Sequence, residues 1–200
     1  MKKMIFPVIT GLEDKLPYYT NGVGIEYEQE DINRPNGHPE YQWIQTRSGS
    51  GELFLNGKRH ILTPSQGMLL FPNEPHSYHT VDQNWDVDWI IFHGKGVESF
   101  IKNTLGATES NVYYISSPAK ISTKLEELYY TALKGPRTAS KCSRITYDIL
   151  LDIMELTSKS EKSALDDKLK RIEPVINFII ENYKSPITLH QLSHLVQMTP

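Results

Sequence analysis

The segment Glu52-Leu53-Phe54-Leu55-Asn56-Gly57-Lys58-Arg59-His60-Ile61-Leu62 decides the fold, because it joins two β-prone runs through the dipeptide Asn56-Gly57. Asn and Gly both tolerate positive φ, and a two-residue turn of that type matches the twist of two antiparallel strands. The segment therefore predicts a tight β-hairpin, and the residues on either side decide which larger sheet that hairpin joins.

The chain on both sides of this hairpin alternates short β-prone runs with turn residues. The runs predict strands at 24–28, 41–46, 51–55, 59–62, 68–71 and 85–92. The turns between them are marked by Gly49-Ser50-Gly51, Pro64-Ser65-Gln66-Gly67 and Pro72-Asn73-Glu74-Pro75. Several short strands that are closely spaced by turns indicate a barrel or a sandwich.

The order of these turns resembles the cupin-type jelly-roll barrel and, more narrowly, the ligand-binding half of AraC/XylS-family bacterial transcription regulators. The residues that carry the resemblance are Gly49-x-Gly51, Asn56-Gly57, Pro64-x-x-Gly67 and Phe71-Pro72-x-x-Pro75-His76-x-Tyr78. The resemblance implies an α+β protein with a cupin-like jelly-roll β-barrel at 21–116 and an N-terminal arm at 1–20. The arm either closes over the barrel mouth or forms an extra edge strand or a disordered tail.

The hydrophobic period becomes helical after Ser117-Pro118, which is typical of an N-cap followed by proline at the first helical position. Apolar residues then recur at helical spacing up to Gly135-Pro136, and again from about Ser140 to Thr157. We therefore expect a helical segment at 117–158. The resemblance implies that this segment forms a homodimer, and the alternative is that the two helices simply pack on the barrel.

The chain at 159–170 is polar and charged, which predicts a linker, with the alternative that it runs into the helix that follows. The apolar residues that follow share one helix face, which we expect to pack against another element. They are Ile172, Val175, Ile176, Ile179, Ile180 and Tyr183. Because proline breaks the hydrogen bonding inside a helix, we expect Pro174 to lie in the first turn.

The tetrapeptide Thr188-Leu189-His190-Gln191 fits a capping box, in which the side chains of the first and fourth residues each bond the other's backbone amide. The sequence at 186–200 closely resembles the first helix-turn-helix of AraC/XylS regulators, so 171–200 is expected to be an incomplete DNA-binding domain. The recognition helix would begin at Thr199-Pro200, so the residues that read bases are unknown from this sequence. Operator DNA is therefore expected as a partner only of a full-length form.

Five residues correspond, through this resemblance, to positions that line the ligand site of the barrel: Arg34, His38, His76, Tyr78 and Trp89. Arg34 matches a ligand-contacting arginine, and Trp89 matches a tryptophan that stacks on the ligand. His76 and Tyr78 match a histidine and a tyrosine, whereas His38 stands where the family has an apolar lining residue. This set suits a sugar-like, carbohydrate effector, because an indole stacks on the C–H face of a sugar while fixed donors reach its hydroxyls. The alternative is that these residues are satisfied parts of the core.

The main competing class is a metal-dependent cupin enzyme acting on a small metabolite. Such enzymes usually open their metal site with a His-x-His pair followed by Glu, and the sequence contains no His-x-His. It also contains no nucleophile elbow, phosphate-binding glycine loop or dinucleotide fingerprint. We therefore expect no enzyme activity, no bound metal and no cofactor.

The overall composition excludes several other classes. The 200 residues are 38% hydrophobic and 22% charged, and the single cysteine, Cys142, excludes an intramolecular disulfide. No apolar run approaches the roughly 20 residues that a membrane helix needs, so we expect a cytoplasmic protein. The net charge is −5 over 1–118 and +2 over 119–200, which argues against a nucleic-acid surface on the first part and is too weak to support one on the second.

Overall fold

The computed structural model of the protein describes residues 2–159, 161–184 and 186–196, and their side chains apart from those of Asp82 and 161–171. The chain divides into two compact units, 1–159 and 160–200. No described helix is long and apolar enough to cross a membrane. We describe each unit by itself.

The described part of the first unit contains nine strands and three α-helices. In chain order they are β1 (Met4–Ile5), β2 (Tyr19–Glu28), β3 (Ile32–Arg34), β4 (Tyr41–Leu55), β5 (Lys58–Leu62), β6 (Gln66–Leu70), β7 (His76–His93), α1 (Val97–Ser99), β8 (Asn111–Ile115), α2 (Pro118–Ala132), α3 (Ala139–Leu156) and β9 (Thr157–Ser158). This content confirms the predicted α+β class.

The nine strands form one antiparallel sheet in the order β1-β2-β7-β4-β6-β8-β9, with β3 paired to β7 and β5 to β4. The sheet is open, and the pairing of its long strands β4 and β7 shifts register between Thr46 and Ser48 and again between Gly49 and Gly51. Such bulges bend a strand. Gly49 has a φ of +70°, and a Cβ there would lie 2.0 Å from the carbonyl oxygen of Asn84, so this bend requires glycine. The arrangement is compatible with the predicted jelly roll.

The Asn56-Gly57 hairpin is present as predicted. Leu55 pairs with Lys58, and the two turn residues have φ values of 51° and 73°. The runs predicted as separate strands at 41–46 and 51–55 belong to the single strand β4, because its bulges bend the ladder without ending it.

The two faces of the sheet bury different clusters. One face packs against α2 and α3, and its cluster includes Ile90, Phe92, Leu125 and Ile149. The opposite face is turned inward and carries the alternate residues of β7, namely Trp85, Val87, Trp89 and Ile91. Along 85–92 the residues of this face alternate with those of the helix-packed face, as the strand period of two requires.

The carboxylate of Asp88 connects the sheet to α2. Asp88 is fully buried and accepts hydrogen bonds from the Ser122 hydroxyl at 2.6 Å, the Glu26 amide at 2.8 Å and the Arg47 guanidinium at 3.1 Å. Arg47 also pairs with Glu26 and Glu126. Since Asp88 precedes Trp89 on β7, this network lies directly behind the inward face of the sheet.

The second unit contains α4 (Glu161–Asn182) and α5 (Leu189–Leu195). The residues predicted as a linker are thus helical from Glu161 onward, and Pro174 lies inside α4, which corrects the expectation that it would lie in the first turn. The reason is that the residues between Glu161 and Pro174 include many strong helix formers, namely Glu, Lys, Ala and Leu. The capping box at Thr188 and Gln191 is confirmed. The predicted start of a further helix at 199–200 lies outside the described residues.

The apolar face of α4 does not pack as we expected. Within the described residues, Ile172, Ile176, Ile179, Ile180 and Tyr183 are all exposed. The described neighbour in the same unit, α5, is seven residues long against 22 for α4, so it is too short to cover this face.

Candidate ligand-binding site

A cavity of about 220 Å³ opens on the inward face of the sheet. Its walls come from the N-terminal arm, the strands β2, β3, β4 and β7, and the residue that follows β2. They are formed by Met4, Phe6, Tyr27, Gln29, Ile32, Arg34, Gln42, Ile44, Tyr78, Trp89 and Ile91.

Arg34 reaches the cavity because the short strand β3 pairs with the start of β7. In this pairing Arg34 lies opposite His76, and Ile32 lies opposite Tyr78. The Arg34 guanidinium donates a hydrogen bond to the side-chain oxygen of Gln42 at 2.7 Å. Gln42 itself is buried on β4, so the arginine is held against a fixed neutral partner.

Trp89 forms the aromatic wall of the cavity. It lies opposite Gly24 of β2, where a Cβ would come within 2.3 Å of the indole nitrogen, so the absence of a side chain makes room for the ring. The ring of Tyr27 meets the indole edge-on at 6.0 Å, and that of Phe6 lies 5.9 Å from it. The result is a flat apolar surface framed by two further aromatic rings.

The N-terminal arm supplies part of this wall. Met4 pairs with Gly24, so residues 4–5 form the edge strand that was one of the alternatives for the arm, and Phe6 continues into contact with Trp89. The arm is further fixed by ion pairs of Lys2 with Glu30 and of Lys3 with Glu26.

Tyr78 and His76 lie side by side on β7, with their rings parallel at 5.9 Å. Burial raises the pKa of Tyr78 to about 12, so its hydroxyl stays protonated and can donate a hydrogen bond to a ligand. Burial lowers the pKa of His76, and the charge of Arg34 lowers it further. His76 Nδ1 donates to the Glu74 carbonyl at 2.8 Å, while its Nε2 is buried without a hydrogen-bond partner among the described residues.

The structure brings three of the five predicted site residues to one cavity, namely Arg34, Tyr78 and Trp89. His76 lies against Tyr78 but does not line the cavity. His38 lies between β3 and β4, where its Nδ1 accepts from the Glu40 amide at 3.2 Å, and it does not line the cavity either. Burial lowers the pKa of His38 as well, followed by the charge of Arg34.

Several lining residues were missed by the sequence reasoning. Gln42 carried a usable signal, since the period of two in β4 puts it on the same face as Ile44 and opposite to Trp43. Tyr27 had a similar signal in β2, although a bulge between Gly24 and Tyr27 disturbs the alternation there. Nothing in the sequence of the arm indicated that Phe6 would contact Trp89.

The comparison with solved structures finds several matches of low TM-score. The apo form of a variant of ToxT from Vibrio cholerae matches with a TM-score of 0.41 and 10% sequence identity. The match covers 91% of this chain and 69% of that chain. A protein of unknown function from Rhizobium leguminosarum matches with a TM-score of 0.29 and 8% sequence identity, and the match covers 37% of this chain and 64% of that chain. A cupin 2 conserved barrel domain protein from Leptotrichia buccalis matches with a TM-score of 0.29 and 15% sequence identity, and the match covers 37% of this chain and 34% of that chain. The chain thus spans less than two thirds of the last two proteins.

The comparison with curated protein sequences gives no significant match. The comparison with protein families matches residues 21–131, which is more than half of the chain, to the AraC-like ligand binding domain. This range contains β3, β4 and β7 in full and β2 from residue 21 onward, whereas Met4 and Phe6 of the arm lie outside it. The chain therefore belongs to the AraC-like ligand binding domain family.

Proposed function

We propose that this protein is a ligand-responsive transcription regulator that binds a small effector in the cavity on the inward face of its sheet. The observation that carries the proposal is the convergence of Arg34, Tyr78 and Trp89 on one cavity in a chain of this family. The cavity of about 220 Å³ is smaller than the roughly 300–1,000 Å³ of pockets that hold drug-sized ligands. The effector is therefore compact, of the size of a monosaccharide.

The chemistry of the walls supports a hydroxylated, carbohydrate-like effector. The indole of Trp89 offers a flat apolar face for the C–H side of a ring. Arg34 and Tyr78 are donors, and the amides of Gln29 and Gln42 both donate and accept. A site with several polar groups around one aromatic plate suits a molecule that has an apolar face and a polar rim.

The regulatory part of the proposal requires a second state that the effector favours. We place the homodimer contact on the helical segment of α2 and α3, where Tyr130, Leu133 and Tyr147 are exposed. The resemblance of 186–200 to a helix-turn-helix supplies the link to DNA. An effector shifts DNA binding only if its affinity differs between two arrangements of the dimer.

The ligand site is tested by calorimetric titration of the full chain with a panel of monosaccharides and related small metabolites. Arg34→Ala should weaken the binding of the best ligand about tenfold or more, because a hydrogen bond to a charged group contributes about 1.5–3 kcal/mol. Trp89→Ala should also weaken its binding about tenfold or more, because it removes the flat apolar face on which the ligand stacks. Arg59→Ala is the matched control, since that guanidinium is exposed and pairs with Glu52 on the hairpin. Equal affinities for all these variants would contradict the assignment of the cavity.

No observation favours the alternative of a metal-dependent enzyme. Among the described residues, no group of three or more His, Cys, Asp or Glu side chains is placed to hold a metal ion.

A further inference from the structure

The charge of the cavity wall is unbalanced. Of the eleven lining residues, Arg34 alone is charged, and the others are apolar, aromatic or amide side chains. Arg34 brings a permanent positive charge to this wall, where it is half-buried between the buried side chains of Gln42 and Tyr78.

The protein itself does not neutralise this charge within the described part of the chain. Gln42 is the side chain that bonds the Arg34 guanidinium there, and no described carboxylate forms an ion pair with it. The two other arginines of the sheet differ in this respect, since Arg47 pairs with three acids and Arg59 pairs with Glu52. Lys2, which lies over the ring of the lining residue Tyr27, is paired with Glu30.

The titratable groups around Arg34 do not offer an anion either. Burial and the nearby guanidinium lower the pKa values of His38 and His76, so both imidazoles are neutral at neutral pH. The raised pKa of Tyr78 keeps the phenol protonated. A partly buried cation that lacks a counter-charge attracts an anion strongly, because the surroundings screen it less than bulk water does.

We infer that the effector carries a carboxylate, which pairs with the guanidinium of Arg34 while the rest of a compact hydroxylated molecule lies against Trp89. This inference rests on the proposed function and specifies its ligand as a small sugar acid instead of a neutral sugar. A carboxylate suits the site because its two oxygens match the planar fork of a guanidinium. A phosphate carries about two charges and would meet a single cation here, so it fits the wall less well.

The experiment compares acids with their neutral counterparts on the full chain. Galacturonate and galactose, glucuronate and glucose, and gluconate and glucitol are titrated by calorimetry, with cyclohexanecarboxylate as a carboxylate that lacks hydroxyls. The best acid should bind at least tenfold more tightly than its neutral counterpart, and its affinity should fall as salt is raised while that of the neutral compound does not. Comparable binding of cyclohexanecarboxylate would identify an apolar acid and contradict the hydroxylated part of the inference.

Substitutions assign this preference to Arg34. Arg34→Gln should abolish the difference between acid and neutral compound, Arg34→Lys should retain part of it, and Arg59→Gln should leave it unchanged. If Arg34→Gln folds poorly, the salt dependence of the unmodified protein still tests the carboxylate, and Arg34→Lys tests the residue. Equal or tighter binding of the neutral compound would contradict the inference that the effector carries a carboxylate, but it would leave the proposed function intact. Binding by no compound of this panel or of the broader one would count against the proposed function itself.

Discussion

Gly24 sets the position of Trp89, since a methyl group at this position would occupy the space of the indole nitrogen. We predict that Gly24→Ala lowers the free energy of unfolding by about 1–3 kcal/mol, the usual cost of overpacking a buried site, and also weakens effector binding because the ring must move. Urea unfolding and calorimetry measure the two effects.

Gly57→Ala is the control for this substitution. Gly57 has a φ of +73° and open space around it, so an alanine there meets only the backbone penalty of about 1–2 kcal/mol for the left-handed conformation. It should reduce stability but leave effector affinity intact. A loss of affinity as large as that of Gly24→Ala would show that general destabilisation, and not the displacement of Trp89, explains the result.

The lowered pKa of His76 predicts how the free energy of unfolding depends on pH. Its pKa is lowered in the folded protein, so below about pH 6.5 the unfolded chain binds a proton that the folded chain does not. Stability is therefore complete above about pH 6.5 and falls as the pH drops from there toward the lowered pKa of the folded state. His38, whose pKa is also lowered, adds to the same slope.

Urea unfolding between pH 5.5 and 7.5 measures this slope. His76→Asn, which keeps a donor for the Glu74 carbonyl, should flatten the slope in part, because the contribution of His38 remains. His79→Asn, which removes a half-exposed imidazole on the same strand, controls for the loss of a histidine. An equal flattening by both variants would contradict the role of His76.

The candidate site was predictable where the residues lie on regular strands. Trp89 follows the alternation along 85–92, but Tyr78 lies 11 residues earlier and shares its face only because the pairing of β7 with β4 is irregular between Thr80 and Trp85. Arg34 is held by the register of β3 against β7. His38 was not predictable in this way, because it follows a turn and its direction depends on tertiary contacts with Glu40 and Asn73. The position of Phe6 could not be predicted from the sequence either. Its contact with Trp89 joins residues 83 positions apart and depends on the two-residue strand β1.

At the scale of elements, the Asp88 network ties α2 to β7. We predict that Asp88→Ala lowers the free energy of unfolding by about 3 kcal/mol, since it leaves buried donors without their acceptor. This figure is at the lower end of the usual range for buried ion pairs because Arg47 is one-third exposed and water screens part of its charge. Ser122→Ala removes a single donor and should cost about 1 kcal/mol.

Chemical unfolding of the single and double variants tests this network. The effects of Asp88→Ala and Ser122→Ala should add to more than the effect of the double variant, because both remove the same 2.6 Å hydrogen bond. Asp86→Ala, at a half-buried neighbour bonded to Ser48, is the matched control and should cost less. Strict additivity would contradict a direct coupling between the strand and the helix.

Element types were predicted better than element boundaries. The hairpin at Asn56-Gly57 matches because local turn chemistry determines it. The two helices of the 117–158 segment match because their apolar residues recur at helical spacing, although neither N-cap side chain, Ser117 or Thr138, forms a capping hydrogen bond. The continuity of β7 from His76 to His93 was missed, since it depends on pairing with β2, β3 and β4 and not on the local sequence. The sequence left open whether 159–170 is a linker or runs into the next helix, because strongly polar residues suit both, and the helix begins at Glu161.

At the scale of the whole molecule, the proposed dimer predicts the effect of one surface charge. Leu133 is 52% exposed at the end of α2, and Leu133→Lys should shift the protein from dimer to monomer in sedimentation equilibrium, because a buried charge at the contact is unfavourable. Ile61→Lys is the matched control, since Ile61 is 48% exposed on the edge strand β5. A monomeric unmodified protein, or equal dissociation of both variants, would contradict the assignment of the contact to the helices.

The three tryptophans of the chain divide into two kinds. Trp43 and Trp85 are completely buried in the two clusters, whereas Trp89 forms the wall of the cavity and touches the arm through Phe6. Intrinsic fluorescence therefore has two constant sources and one that changes when the cavity is occupied. The protein carries its own optical reporter, and a titration read at this emission follows occupancy without a dye, with Trp89→Phe as the silent reference.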